Sequence, residues 1–306
     1  MSEVPAQIQN LSGPEELIAA YDKLGYVADE EVATALYLSL RLNKPLLIEG
    51  NPGVGKTELA LMLSDWLETD LIRLQCYEGL DVHSAVYEWN YQKQLLAIRI
   101  QENEDKSAKA KEDEIFGEDY LMKRPLLKAI TAADKAPVLL IDEMDRADEE
   151  FEAFLLELLS AFQISIPEMG TIKAVHKPLV ILTSNRTRDL SDALKRRCLY
   201  LWMHYPSLEK ERKIVRKKLP DIESLLQEQV LTFVQQLRHE KLNKIPGIAE
   251  TLDWAAALME LAYRSLSEEA VNKTIGCLLK TAEDVELVKS IGWQKWLKEE
   301  AVVEEI

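Results

Sequence analysis

The sequence predicts an α/β protein: a parallel sheet with helices on both faces, followed by a small all-helical domain. Three observations carry that prediction. Short apolar runs ending in polar residues alternate with helix-period stretches over the first two-thirds of the chain. That is the pattern of buried parallel strands joined by crossover helices. A glycine-rich loop, Gly50–Thr57, lies between one such run and a helix. From Pro206 onward the strand-like runs cease and helical periodicity continues to the end, with breaks at Pro220 and over Asn243–Gly247. The boundary is expected near Tyr205-Pro206, giving domains 1–205 and 206–306.

In chain order, Gly13–Leu24 reads as a short helix, with Ser12 as N-cap and Pro14 early in the first turn. Gly25-Tyr26-Val27-Ala28 interrupts it, and Asp29–Leu42 forms a second helix. Pro45-Leu46-Leu47-Ile48-Glu49 is a short buried strand, and Glu58–Leu67 is the helix after the loop. Leu71–Cys76 is a second strand. Ala85–Tyr91, aromatic and alternating, is a strand or hairpin arm. Gln101–Glu114 is charged, with almost no large apolar residue, and reads as a solvated helix end or a flexible loop. Pro125–Asp134 is helical. Val138–Ile141 is a buried strand ending in Asp142-Glu143, and Phe151–Phe162 is an amphipathic helix. Gln163–Ala174 forms a hairpin turning near Glu168–Gly170. Leu179–Asn185 and Leu199–Met203 are the last strands. No internal repeat is visible.

Gly50-Asn51-Pro52-Gly53-Val54-Gly55-Lys56-Thr57 fits the phosphate-binding pattern G-x-x-x-x-G-K-[ST], in the strand–loop–helix context the motif requires. Gly53 and Gly55 allow a tight turn with N–H groups facing inward at phosphate oxygens. The helix N-terminus adds its positive end. Lys56 is expected on the β and γ phosphates, and the Thr57 hydroxyl on Mg²⁺. Glu58, next in the helix, completes the candidate nucleotide-binding stretch. Asp142 and Glu143 follow Thr57 by 85 residues (142 − 57). On a strand next to the loop's own strand they would face the phosphates. Asp142 would hold Mg²⁺ through water, and Glu143 would orient and deprotonate the attacking water. Asn185, at its own strand end, is placed to bond the γ-phosphate or that water, although Asn also favours turns. Nucleotide is expected at the C-terminal edge of the sheet.

Composition sets the outer bounds. At 306 residues, with 47% hydrophobic and 29% charged residues, the chain has the make-up of an ordinary soluble protein large enough for two domains. No apolar run approaches the ~20 residues of a membrane span, so no stable membrane insertion is expected. Met1-Ser2-Glu3-Val4-Pro5 lacks the basic start and apolar core of a signal peptide, which implies a cytoplasmic location. Cys76, Cys198 and Cys277 are scattered, as free thiols in a reducing compartment would be, and the four histidines are equally dispersed. No metal beyond Mg²⁺ with nucleotide is implied. A net charge of −16 argues against a general nucleic-acid binder. The one dense basic run, Lys210–Lys218, reads as the solvated face of a helix or as a local binding patch.

The order Gly50–Thr57, Leu139-Leu140-Ile141-Asp142-Glu143, Thr183-Ser184-Asn185 and Ala193-Leu194-Lys195-Arg196-Arg197-Cys198 resembles the AAA+ ATPases, and within them the MoxR group. It matches Walker A, Walker B, sensor 1 and arginine finger in sequence, over roughly Tyr26–Leu261. Tyr87–Tyr91, Arg124-Pro125-Leu126-Leu127 and Ile248–Trp254 are most similar to ATPases associated with carbon monoxide dehydrogenase maturation. The resemblance implies an ATP- and Mg²⁺-dependent ring, commonly a hexamer, with nucleotide at each subunit interface. It also implies partners with a von Willebrand factor A domain, and a chaperone-like role in maturing a metalloenzyme client. Arg197 matches the finger, acting on a neighbour's γ-phosphate, with Arg196 as its backup. A helix C-terminus also favours such cations. Tyr26 and Val27 match the adenine-packing place, where a core aromatic is the alternative. Glu250 stands where many MoxR proteins carry the sensor 2 arginine, so no sensor 2 residue is assigned. A nucleotide-gated scaffold with little turnover is a rival reading, as is a nucleic-acid or GTP-dependent motor. Neither Asn43-Lys44-Pro45-Leu46 nor Asn243-Lys244-Ile245-Pro246 carries the Asp that would read guanine.

Overall fold

The structure, a computed structural model, describes residues 5–101 and 107–297. The helices α1 (Ala6–Gln9), α2 (Pro14–Lys23) and α3 (Glu30–Leu42) lead into β1 (Leu46–Gly50), followed by α4 (Lys56–Leu67) and β2 (Leu71–Gln75). Next come α5 (Val82–Val86), β3 (Tyr87–Trp89), α6 (Tyr91–Gln101), α7 (Ala108–Ile115), β4 (Leu121–Lys123) and α8 (Pro125–Ile130). The strand β5 (Val138–Asp142) precedes a 3-10 turn, Met144–Arg146, and α9 (Glu149–Ala161). The hairpin β6 (Gln163–Ile166) and β7 (Gly170–Lys173) is followed by β8 (Leu179–Ser184), α10 (Asp192–Arg197) and β9 (Leu199–Met203). Among the described residues five α-helices follow, α11 (Leu208–Lys218), α12 (Ser224–Leu237), α13 (Ile248–Glu260), α14 (Glu268–Leu278) and α15 (Ala282–Ile291), and then a 3-10 helix, Trp293–Leu297. The expected fold class holds: a five-stranded sheet in the order β2-β5-β8-β1-β9, helices on both its faces, and a helical C-terminal region.

By contacts the chain divides into two compact units. One holds the residues up to Leu17, Glu30–Glu49 and Thr57–Trp202; the other holds Ile18–Asp29, Gly50–Lys56 and the residues from Met203 on. In the first unit β2, β5, β8 and β1 pair in parallel, with Leu74 beside Ile141, Ile141 beside Leu182 and Leu47 beside Leu182. The strands β1 and β5 are buried along their whole length, as strands covered on both faces must be. Leu126, Leu139, Ile141, Phe151, Leu155 and Leu182 lie in one apolar cluster at 0–1% exposure, each contributing about 1.5–3 kcal/mol by burial. In the second unit Phe233, Trp254 and Trp296 stack within another cluster. The buried Trp254 indole donates to Thr274 Oγ1 at 2.7 Å.

Several boundaries differ from expectation. The strands β5 and β1 are not neighbours, because β8 lies between them. Ala85 and Val86 end a short helix and only Tyr87–Trp89 pairs, antiparallel to β4. The helix expected over Pro125–Asp134 stops at Ile130. Ser12 does not cap α2 with its hydroxyl; its N–H and Oγ both bond the Glu16 carboxylate. The C-terminal helices break additionally between Glu260 and Glu268 and between Leu278 and Ala282. Of the charged stretch Gln101–Glu114, residues 102–106 lie outside the described residues, and Ser107 caps α7 by accepting the Ala110 N–H. The first four residues, on which the signal-peptide reading partly rests, lie outside the described residues as well. The basic run is occupied by ion pairs within its own unit: Lys210 with Asp29, Arg212 with Glu228 and Lys217 with Asp22. No helix among the described residues is long and apolar enough to cross a membrane. The helix α6 is inverted in polarity: Gln94 and Gln101 are buried, while Leu95, Leu96, Ile98 and Ile100 are exposed.

Candidate nucleotide site

The glycine loop joins the end of β1 to the start of α4, as the motif requires. Gly53 and Gly55 take φ of 76° and 93°, the left-handed region that L side chains resist. Lys56 curls back under the loop. The residue is buried at 8% exposure, and its Nζ donates to Gly50 O at 2.7 Å and Asn51 O at 2.8 Å. The outer side of the loop is held by the start of α13. Gly53 O accepts the Ile248 N–H at 3.0 Å, and the Glu250 carboxylate accepts the Gly247 N–H at 2.9 Å. A Cβ at Gly247 would lie 2.7–2.8 Å from Gly53 O, C and Cα, so two backbones meet where no side chain fits. Gly247→Ala is therefore expected to lower stability by about 1–3 kcal/mol. A thermal melt would read this, and a wild-type melting temperature would show that the two segments part freely.

In the sheet unit an acidic centre forms where β5 ends. Asp142, at 3% exposure, is contacted from three elements. Thr57 Oγ1 of α4 lies 3.3 Å from each carboxylate oxygen. Thr183 Oγ1 of β8 donates to Oδ1, and it also accepts the Glu143 N–H at 3.0 Å. Arg73 of β2 donates to Oδ2 through Nε at 3.0 Å and through Nη2. Glu143 differs in every respect. Its backbone is left-handed at φ 54°, its side chain is 37% exposed, and its carboxylate pairs with Arg146 Nε at 3.4 Å. A left-handed non-glycine residue costs about 1–2 kcal/mol, here at the turn that lifts Glu143 off the strand. Beside these acids, burial and then Asp142 push the Cys76 thiol up to about 12.

Next to this centre, the loop after β8 wraps the 3-10 turn Met144–Arg146. Asp145, at 3% exposure, accepts the Asn185 N–H at 3.1 Å, the Thr187 N–H at 2.8 Å and the Thr187 hydroxyl at 2.6 Å. Burial would raise its carboxyl, but these hydrogen bonds outweigh burial and hold it below the ordinary value. Arg186, left-handed at φ 58°, stacks over Trp202 and approaches the buried Glu49, which also accepts the Tyr200 hydroxyl at 3.0 Å.

A family model described as AAA domain (dynein-related subfamily) matches residues 45–198, about half the chain, from the start of β1 to the end of α10. The chain belongs to the AAA domain family, dynein-related subfamily. AAA domains are nucleotide-dependent ATPases. Uncharacterized proteins of Staphylococcus aureus, in strains bovine RF122 / ET3-1 and USA300 among others, are 28% identical over 246 residues, covering 76% of this chain and 84% of theirs. Among solved structures, a mutant of Thermotoga maritima RuvB matches at TM-score 0.49 and 19% identity, over 92% of this chain and 78% of that one. A T. maritima RuvB structure titled as a Holliday junction branch migration motor matches at TM-score 0.45 and 18% identity, over 93% and 80%.

Within the AAA domain, α4, β5 and β8 bring together Thr57, Asp142, Glu143 and the Asp145-held loop that carries Asn185. The other candidates lie elsewhere. Arg196 and Arg197 end α10, both exposed, and Arg197 Nη1 donates to Leu156 O of α9 at 2.6 Å. Tyr26 is buried edge-on against Tyr21, with ring centroids 5.7 Å apart, and Val27 is half-buried. Sequence reasoning passed over Arg73, Asp145 and Glu49. Each had a signal: an arginine inside an apolar strand, a third acid three residues past Asp142, and an acid closing an otherwise apolar strand.

The acidic centre fits a hard divalent cation. A hydroxyl and a carboxylate in mutual reach are the oxygen donors that Mg²⁺ takes, its remaining positions being filled by waters and substrate phosphate. Among the described residues no group of three or more His, Cys, Asp or Glu could hold a metal without such help.

Proposed function

We propose that this AAA protein is an Mg²⁺-dependent ATP hydrolase of the MoxR type that couples turnover to remodelling of a protein client, in the setting of metalloenzyme maturation. The Thr57 hydroxyl on the Asp142 carboxylate is the observation that supports it best. Lys56 and Thr57 are consecutive residues of α4, and the motif assigns both to phosphate and cation. In this reading Gly50–Lys56 cradle the phosphates through backbone N–H groups, with Glu58 in the following turn and Tyr26 and Val27 against the adenine. Thr57 and Asp142 would hold Mg²⁺, which would supply charge neutralisation for the bound phosphates. Glu143, half-exposed and loosely paired, takes the proton of the attacking water, while the buried and cross-linked Asp142 is kept for the cation. Asn185 orients that water or the γ-phosphate. Arg197, with Arg196 beside it, completes the site of a neighbouring subunit in a homo-oligomeric ring, a hexamer in the proposed form. Residues 206–306 act as the helical lid. The partners are a von Willebrand factor A domain protein and the metalloenzyme client, and the setting is the cytoplasm.

Lys56→Ala tests the nucleotide assignment. Removing the ammonium is expected to weaken ATP binding at least thirtyfold, on the order of the 2–5 kcal/mol lost when one partner of a buried charged pair is truncated. A titration with a fluorescent ATP analogue reads the affinity, and unchanged binding would remove the phosphate role of the loop.

A further inference from the structure

We infer that Asp145 is a positioning residue for the hydrolytic step: it fixes the backbone from which Asn185 projects. Its carboxylate is the common acceptor for two backbone N–H groups and one hydroxyl of the segment Asn185–Thr187. The Thr187 hydroxyl also reaches Asp145 O at 3.3 Å, so side chain and main chain of one residue both hold the loop. The segment needs such an anchor. Arg186, between the two anchored residues, is left-handed, which a non-glycine residue adopts only when its surroundings impose it. Ser184 Oγ accepts the Arg186 N–H at 3.0 Å and fixes the turn from the strand side. Asp145 fixes it from the side of β5. Asp145 lies three residues past Asp142, in the 3-10 turn that Glu143 initiates. The turn that aims Glu143 therefore also sets the loop that carries Asn185, and the two groups are held in one frame rather than by separate elements.

A neutral amide cannot replace this carboxylate. Asp145 serves three donors with two acceptor oxygens, whereas Asn offers one acceptor oxygen and turns a donor toward an N–H. The role rests on the hydrolytic reading of the site, and its signature is epistasis. In the assembled full-length protein, Asp145→Asn is expected to lower kcat about tenfold to hundredfold, the scale of a small misplacement of a catalytic group. The dissociation constant for a fluorescent ATP analogue is expected to stay within about twofold, because no phosphate contact is touched. In an Asn185→Ala background the same substitution is expected to change kcat less than about twofold, since the residue it positions is gone. Thr187→Val, which removes the hydroxyl's two contacts with Asp145, leaves both N–H bonds and keeps the shape, is the milder variant should Asp145→Asn fold poorly. Its effect is expected in the same direction and is likewise expected to vanish without Asn185. Multiplicative losses in the double variants would overturn the inference, since a merely structural defect adds independently. So would wild-type kcat in Asp145→Asn when Glu143→Gln is dead. Turnover that survives Glu143→Gln would overturn the hydrolytic reading itself, and this role with it.

Discussion

Glu143→Gln is expected to bind ATP with near wild-type affinity and to turn it over at least ~10²-fold more slowly, accumulating the nucleotide-loaded assembly. The expectation follows from the contrast between two adjacent acids. Asp142 is buried and bonded from β2, α4 and β8, so it is part of the frame. Glu143 is turned out by a left-handed backbone and has one long ion pair, to Arg146. The amide keeps the shape and the 3-10 turn but loses the lone pair that takes a proton. Steady-state hydrolysis measured beside a binding titration reads the two effects separately. Full turnover in the variant would place the base elsewhere.

Arg197→Ala is expected to leave ATP binding almost intact and to cost ~10³-fold or more in turnover, the scale of a finger acting on developing charge. Mixing Arg197→Ala with Glu143→Gln subunits is then expected to restore part of the activity. On the proposed ring, a site that pairs the first variant's Glu143 with the second variant's Arg197 would be whole, and neither pure assembly would contain one. Dead mixtures despite demonstrated co-assembly would return Arg197 to a simpler role. It sits in the last turn of α10 with Lys195 and Arg196, where cations stabilise a helix end, and it already caps Leu156 O. Activity per subunit that stays flat down to monomer concentrations would lead to the same conclusion.

The parts of the site that were legible in the sequence are those written in consecutive residues. The glycine loop, the acids closing β5 and the polar end of β8 all follow from one element meeting its own loop. The order of strands does not. Neighbouring strands in sequence are usually neighbours in space, yet β8, separated from β5 by a helix and a hairpin, inserts between β5 and β1. That insertion brings Thr183 to Asp142 and Asn185 to Asp145, contacts between residues about 40 positions apart. Arg73 was hidden for the same reason: its meaning depends on β2 lying beside β5. The missed ends of short elements have a local cause. Ala85 and Val86 face the core in a helix as readily as in a strand, so alternation over so few residues does not separate the two.

Asp142 joins three separate elements through one carboxylate, and this decides which experiments on the site can be read cleanly. An Asp142→Asn variant would take the counter-charge from Arg73 and disturb the hydroxyl of Thr183, and through it the N–H of Glu143. Its inactivity would report a loosened joint between strands as much as a lost cation. Magnesium dependence is better probed by varying the ion with the wild-type chain. The neighbouring Glu143, whose carboxylate is paired at 3.4 Å with a half-exposed arginine, is the acid whose replacement is read more simply.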